Sequence, residues 1–178
     1  KSSNLRGKVI RQCSGSGQVK TVRYDFKGNV LAIQKQMPQD AKANLLDWTT
    51  ASLDPTVYTQ ITEYDALNRM QRLYNWHYND PASGTRVAVY EPTYSPRGVL
   101  QSEDLVVDAQ KTVSSFAGGT RQTVVSGITY DAKGQKMQLR HGNGTTTRYE
   151  YDPLTFRLKN IRTIPAIIGA GALLQDLS

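Results

Sequence analysis

Short runs rich in Val, Thr, Tyr and Ile, partly alternating apolar with polar positions, recur along the chain. They predict half-buried β-strands at Val19–Tyr24, Asn29–Gln34, Val57–Tyr64, Gln135–Arg140 and Thr145–Tyr151. Turn residues stand between the runs. The segment Tyr24-Asp25-Phe26-Lys27-Gly28 follows the first run, and Tyr130-Asp131-Ala132-Lys133-Gly134 repeats its Tyr-Asp-x-x-Gly pattern. Looser copies are Tyr64-Asp65-Ala66-Leu67-Asn68, Tyr94-Ser95-Pro96-Arg97-Gly98 and Tyr151-Asp152-Pro153-Leu154-Thr155. An internal repeat of this kind outranks other sequence signals. It predicts an all-β chain, an antiparallel array of β-hairpins lying side by side with little helix.

Each copy reads as strand, turn, strand. Asp favours the first position of a type I turn, where its carboxylate accepts backbone N–H bonds. Gly three residues later supplies a left-handed conformation, and Asn68 is the next-best substitute. Pro153 sits where the turn wants φ fixed near −65°. Thr155 at the glycine position is the departure in the fifth copy. Tyr149 and Tyr151 lie two apart and share a strand face. The residues expected to shape the repeat are Tyr24, Asp25 and Gly28; Tyr64, Asp65 and Asn68; Tyr94 and Gly98; Tyr130, Asp131 and Gly134; and Tyr149, Tyr151 and Asp152. Gly134 is expected to need φ > 0, whereas Gly118 is read as part of a loose Gly-Gly loop.

The repeats lie near 24–36, 64–76, 94–108, 130–141 and 151–163, and the whole of 1–178 reads as one repeat segment. The step between copies varies, so the short unit is the bare hairpin and longer ones carry extra strands or loops. Residues 37–56 form an irregular insertion, in which Asp40 to Asp47 has the pattern of one or two helical turns with Asp40 as N-cap. Asp80-Pro81-Ala82-Ser83-Gly84 reads as a loop.

Composition narrows the function classes. The chain has 22 basic and 15 acidic residues, a net charge of +7. That permits contact with nucleic acid or acidic glycans. The basic residues are scattered with no run of three, which favours a solvated surface and no specific nucleic-acid site. The apolar run from Ile164 to Leu174 is far below the ~20 residues that span a bilayer. One cysteine, Cys13, excludes an internal disulfide framework, and it reads as a buried or incidental thiol without a neighbouring base. His77 is expected on a strand surface and His141 at a turn; neither has metal-ligand spacing. Ser14-Gly15-Ser16-Gly17 lacks the leading glycine of a nucleophile elbow. No catalytic residue, cofactor or metal site is expected.

The best local match to a known pattern is Gly142 to Pro153, with Arg148-Tyr149-Glu150-Tyr151-Asp152 at its centre. It continues through Leu154 to Leu158 and Leu174 to Leu177. With Asn4 to Gly7 and Arg23 to Asn29, it resembles the YD repeat of the RHS family. It is similar in particular to relatives of the B and C components of bacterial insecticidal Tc toxins and to SpvB-like toxins. The resemblance implies a β-ribbon spiralling into a hollow shell around a cytotoxic C-terminal polypeptide. It also implies secretion, flanking repeats as partners and other toxin-complex subunits as further ones. The family's Asp-Pro-x-Gly-Leu motif is absent, since Asp152-Pro153 is followed by Leu-Thr-Phe, and the chain is expected to be a segment of a larger protein. The alternative is a cell-surface or carbohydrate-binding module on the same strands, with Trp76 and Tyr78 as anchors.

Overall fold

A computed structural model describes residues 5–40, 47–80, 84–166 and 174–177. The expected helical turns between Asp40 and Asp47, the middle of the Asp80–Gly84 loop and most of the 164–174 run lie outside them. Among the described residues there is no helix. Thirteen strands occur among the described residues: β1 (Arg11–Ser14), β2 (Gly17–Tyr24), β3 (Val30–Gln36), β4 (Tyr58–Tyr64) and β5 (Met70–His77). Next come β6 (Arg86–Tyr94), β7 (Leu100–Lys111), β8 (Phe116–Ala117) and β9 (Thr120–Tyr130). The last are β10 (Lys136–His141), β11 (Thr146–Tyr151), β12 (Leu158–Ile164) and β13 (Gln175–Leu177). Strand order follows chain order, with β8 paired to β7 off the main path. The all-β antiparallel architecture expected from the hairpin repeats is the one observed.

The chain divides into two compact units: residues 1–90 with 106–120, and residues 91–105 with 121–178. In the first unit the register places Arg23, Ala32, Ile61, Tyr74 and Val89 in one cross-strand row. Residues in register point to the same face, so this row concentrates apolar surface there. Tyr74, Val87, Val89, Val106 and Ala109 form the buried cluster, with Ile61 and Phe116 packed against it. Tyr74 and Val89 are fully buried, and each such side chain contributes about 1.5–3 kcal/mol. Away from this cluster the sheet stays open: every residue of β3 and β4 is only half-buried.

The cluster is closed by the hairpin tip between β7 and β8. Asp108, Gly118 and Gly119 all have positive φ, at 57°, 65° and 82°. A Cβ on Gly119 would lie 2.8 Å from the Val107 carbonyl oxygen and 2.9 Å from Val106 Cγ1. Only glycine permits that approach. Gly118 lies in the expected Gly-Gly loop with open space around it, but it is left-handed like Gly134. The tip brings Phe116 edge-on to Tyr74. Lys111 clamps it, donating to the carbonyls of Thr112 at 2.6 Å and Ser115 at 3.2 Å while lying 4.6 Å over the Tyr74 ring. Burial pushes the Lys111 ammonium below its ordinary value.

In the second unit β9 to β13 form a meander. Val125 and Ile128 are its buried hydrophobics, and Ile128 pairs with Leu139 across β9 and β10. Arg121 donates to both Glu91 (2.5 Å) and Asp104 (3.0 Å), which raises its already high pKa.

Candidate functional site: the aspartate-capped turn edge

The turns of the repeat share one construction. In the first copy the Asp25 carboxylate accepts the N–H of Lys27 and of Asn29, each at 2.8 Å. The backbone closes with Gly28 donating to the Asp25 carbonyl and Asp25 donating to the Asn29 carbonyl. Asp65 repeats this with the N–H groups of Leu67 and Arg69, and Asp131 with those of Lys133 and Gln135. The fourth turn residue is left-handed throughout: Gly28 97°, Asn68 62°, Gly98 81° and Gly134 84°.

The bonds shift the carboxyls. Burial pushes the Asp25 carboxyl up, but the bonds from Asn29, Lys27 and Gly28 outweigh it and hold it below 3.8. The Arg69 backbone N–H is the largest influence on Asp65, and that of Thr155 on Asp152; both carboxyls lie below 3.8. Charge-assisted bonds of this kind favour the ionised form.

The fifth turn departs from the expected alignment. It is one residue longer, closing from Phe156 N–H to the Asp152 carbonyl. Phe156, with φ 58°, takes the left-handed position. Thr155 does not stand in for glycine; its N–H and hydroxyl both donate to the Asp152 carboxylate. The third turn has Ser95 in place of Asp. Its backbone closes like the others, but the Ser95 hydroxyl is buried without a hydrogen-bond partner. A further turn of the same backbone form, His141 to Gly144, joins β10 to β11. It carries no repeat signature in the sequence, because His141 stands in place of Asp and Arg140 in place of the tyrosine.

Neighbouring turns touch. In the first unit Lys27 Nζ donates to the Ala66 carbonyl at 2.6 Å and Asn29 Nδ2 to Asn68 Oδ1 at 3.0 Å. In the second, Gln135 Nε2 donates to the Phe156 carbonyl at 2.8 Å. The tyrosines act at the strand ends. Tyr24 donates its hydroxyl to the Val9 carbonyl and Tyr130 to that of Leu100. Tyr24 and Tyr64 line a common cleft, and Tyr94, Tyr149 and Tyr151 are half-buried. Burial pushes the Tyr130 and Tyr151 phenols up. Phe26, Leu67 and Leu154 leave large apolar side chains exposed at the turn tips.

One single-residue expectation is corrected, and that for Cys13 is narrowed to an incidental thiol. His77 is buried rather than on the strand surface, its Nδ1 2.6 Å from the Asn75 carbonyl. A bulge in the β4–β5 register, between Thr59↔His77 and Ile61↔Tyr74, turns it inward. Cys13 is exposed, on β1, all of whose residues are exposed. His141 Nε2 lies 3.1 Å from Thr147 Oγ1, which lies 3.0 Å from Thr163 Oγ1. This is a ladder across three strands with Thr147 buried. Among the described residues no three His, Cys, Asp or Glu side chains gather into a metal-binding group. Tyr74, Lys111 and Phe116 carried no sequence signal, because the hairpin tip that brings them together depends on contacts far along the chain.

Hairpins in chain order with carboxylate-capped turns define an antiparallel β-hairpin array. No protein-family model matches the sequence. The chain is homologous to Tc toxin subunits of Yersinia entomophaga. It is 29% identical to toxin subunit YenC1 over 195 aligned residues, covering 99% of this chain and 17% of YenC1. With YenC2 the identity is 28%, over 99% of this chain and 18% of that subunit. The chain thus spans under a fifth of either relative. Among solved structures, the TcdB2–TccC3 complex superimposes with a TM-score of 0.70 at 25% identity, over 97% of this chain and 8% of that one. The Tc holotoxin pore of Photorhabdus luminescens gives a TM-score of 0.70 at 26% identity, over 97% of this chain and 7% of that one.

Proposed function

We propose that this chain is a wall segment of an RHS-type β-shell that encloses a C-terminal cytotoxic polypeptide in a secreted bacterial toxin complex. Its role is containment and is not enzymatic. Its partners are the flanking repeats, the enclosed polypeptide and other subunits of the complex. The observation that carries this reading is similarity to Tc toxin C subunits along the whole chain. The half-buried strands β3 and β4 support it, because a wall meets other chain on its faces and edges. The bonded turns support it too, since they tie neighbouring hairpins along one edge within each unit. Tyr24, Tyr64, Tyr94, Tyr130, Tyr149 and Tyr151 would pack the strands, and Asp25, Asp65, Asp131 and Asp152 would fix the turns.

Protease digestion of the intact parent subunit tests the proposal. The C-terminal polypeptide should survive in the native subunit and be cut when Tyr74→Asp opens the wall. Equal digestion in both proteins would contradict it, as would equal survival.

A further inference from the structure

A cleft of about 410 Å³ in the first unit is lined by Gln34, Thr56, Val57, Thr59, Tyr78 and Asn79, among others. Its volume lies at the lower end of the ~300–1,000 Å³ typical of small-molecule sites. Three observations define its chemistry. Tyr78 is 49% exposed, and Tyr58 holds it edge-on with ring centroids 5.9 Å apart. One aromatic ring is thus fixed and half open. Among the described residues the lining carries no charged side chain. Among the described residues the Gln34 amide, the Thr59 hydroxyl and the Tyr78 hydroxyl have no hydrogen-bond partner. Asn79 accepts from the Thr85 hydroxyl through Oδ1 at 3.0 Å, which leaves its NH₂ group to donate.

Each point excludes a ligand class. An anion finds no cation among the described lining residues. A purely apolar ligand would leave two amides and two hydroxyls desolvated and unpaired, at a cost that opposes binding. A neutral, hydroxyl-rich ring satisfies them, with its C–H face on the aromatic ring and its hydroxyls on the amides. We propose that this cleft binds a neutral saccharide, stacked on Tyr78 and hydrogen-bonded by Gln34, Thr59 and Asn79. The site stands on residues of the first unit and is independent of the wall reading. Trp76, two residues away and 38% exposed, does not line the cleft and serves as the internal control.

The test is saturation-transfer NMR and titration of the full chain with maltose, cellobiose and lactose, with adenosine as a flat, polar comparison. At least one disaccharide should bind saturably in the millimolar range, with no dependence on salt. Tyr78→Ala should weaken it by about tenfold or more, Gln34→Ala should weaken it less, and Trp76→Ala should leave it unchanged. Circular dichroism of the variants separates lost binding from lost fold. Absence of saturable binding up to the solubility limit of all three sugars would overturn the proposal. So would tighter binding of adenosine, or binding that survives Tyr78→Ala in a folded protein.

Discussion

The ring of Phe116 meets the ring of Tyr74 edge-on, with centroids 6.3 Å apart and planes at 73°. The two residues are far apart in sequence, and the left-handed Asp108, Gly118 and Gly119 let them meet. Arg72 adds to the stack, its guanidinium 5.4 Å from the Phe116 centroid and bonded to Glu63 at 3.1 Å. Tyr74→Ala should destabilise the chain by about 3–5 kcal/mol, as truncation of a buried large side chain does. Phe116→Ala, at a half-buried site, should cost less. A double-mutant cycle in denaturant should return a coupling of about 0.5–1.5 kcal/mol for the ring pair. Strictly additive effects would show that the tip does not hold the core.

Ser95 stands where the other four repeat turns have Asp. Its backbone matches the others, yet its buried hydroxyl has no partner. Ser95→Asp should supply the carboxylate that Asp25, Asp65 and Asp131 use. The unfolding midpoint should rise, by about 1 kcal/mol for the bonds gained. A lower midpoint would mean that this turn cannot accept the common cap.

Gly134 has φ 84° with open space where a Cβ would stand, whereas Gly127, in β9, has no positive φ and equally open space. Valine suits a strand and resists the left-handed region. Gly134→Val should therefore cost about 1–3 kcal/mol, and Gly127→Val should be neutral or stabilising. Equal midpoints for the two variants would contradict the assigned turn.

Much of this was legible in the sequence. Asp25, Asp65 and Asp131, each followed three residues later by Gly or Asn, announce their hairpins because the turn chemistry is local. The flanking Val, Thr and Tyr runs do the same for the strands. The extra residue at Phe156 was not legible, because Thr155 in the glycine position hides a longer loop. Gly118 and Gly119 read as a loose linker, because the tight contact of Gly119 with Val106 and Val107 belongs to tertiary structure. The inward turn of His77 follows from a bulge that no local pattern encodes.

Acid should find the turn carboxylates. Asp25, Asp65 and Asp152 have folded values below 3.8. The stability they contribute is full above that ordinary value and is lost as pH falls through the lower folded values. Asp65→Asn keeps an oxygen that accepts the Leu67 and Arg69 N–H bonds but cannot titrate. Its melting temperature should be lower than the parent's at neutral pH and should fall less steeply below pH 3.8. Parallel pH profiles for the two proteins would show that Asp65 does not carry the acid response.

Electron cryomicroscopy of the intact parent subunit tests the central claim most directly. The account predicts that β1 and β13 continue into flanking strands at the ~4.8 Å spacing of a sheet. It also predicts that one face of these strands looks onto density of an enclosed polypeptide. A separate module on the outside of the particle, with its edge strands unpaired and no enclosed chain beside it, would contradict the account.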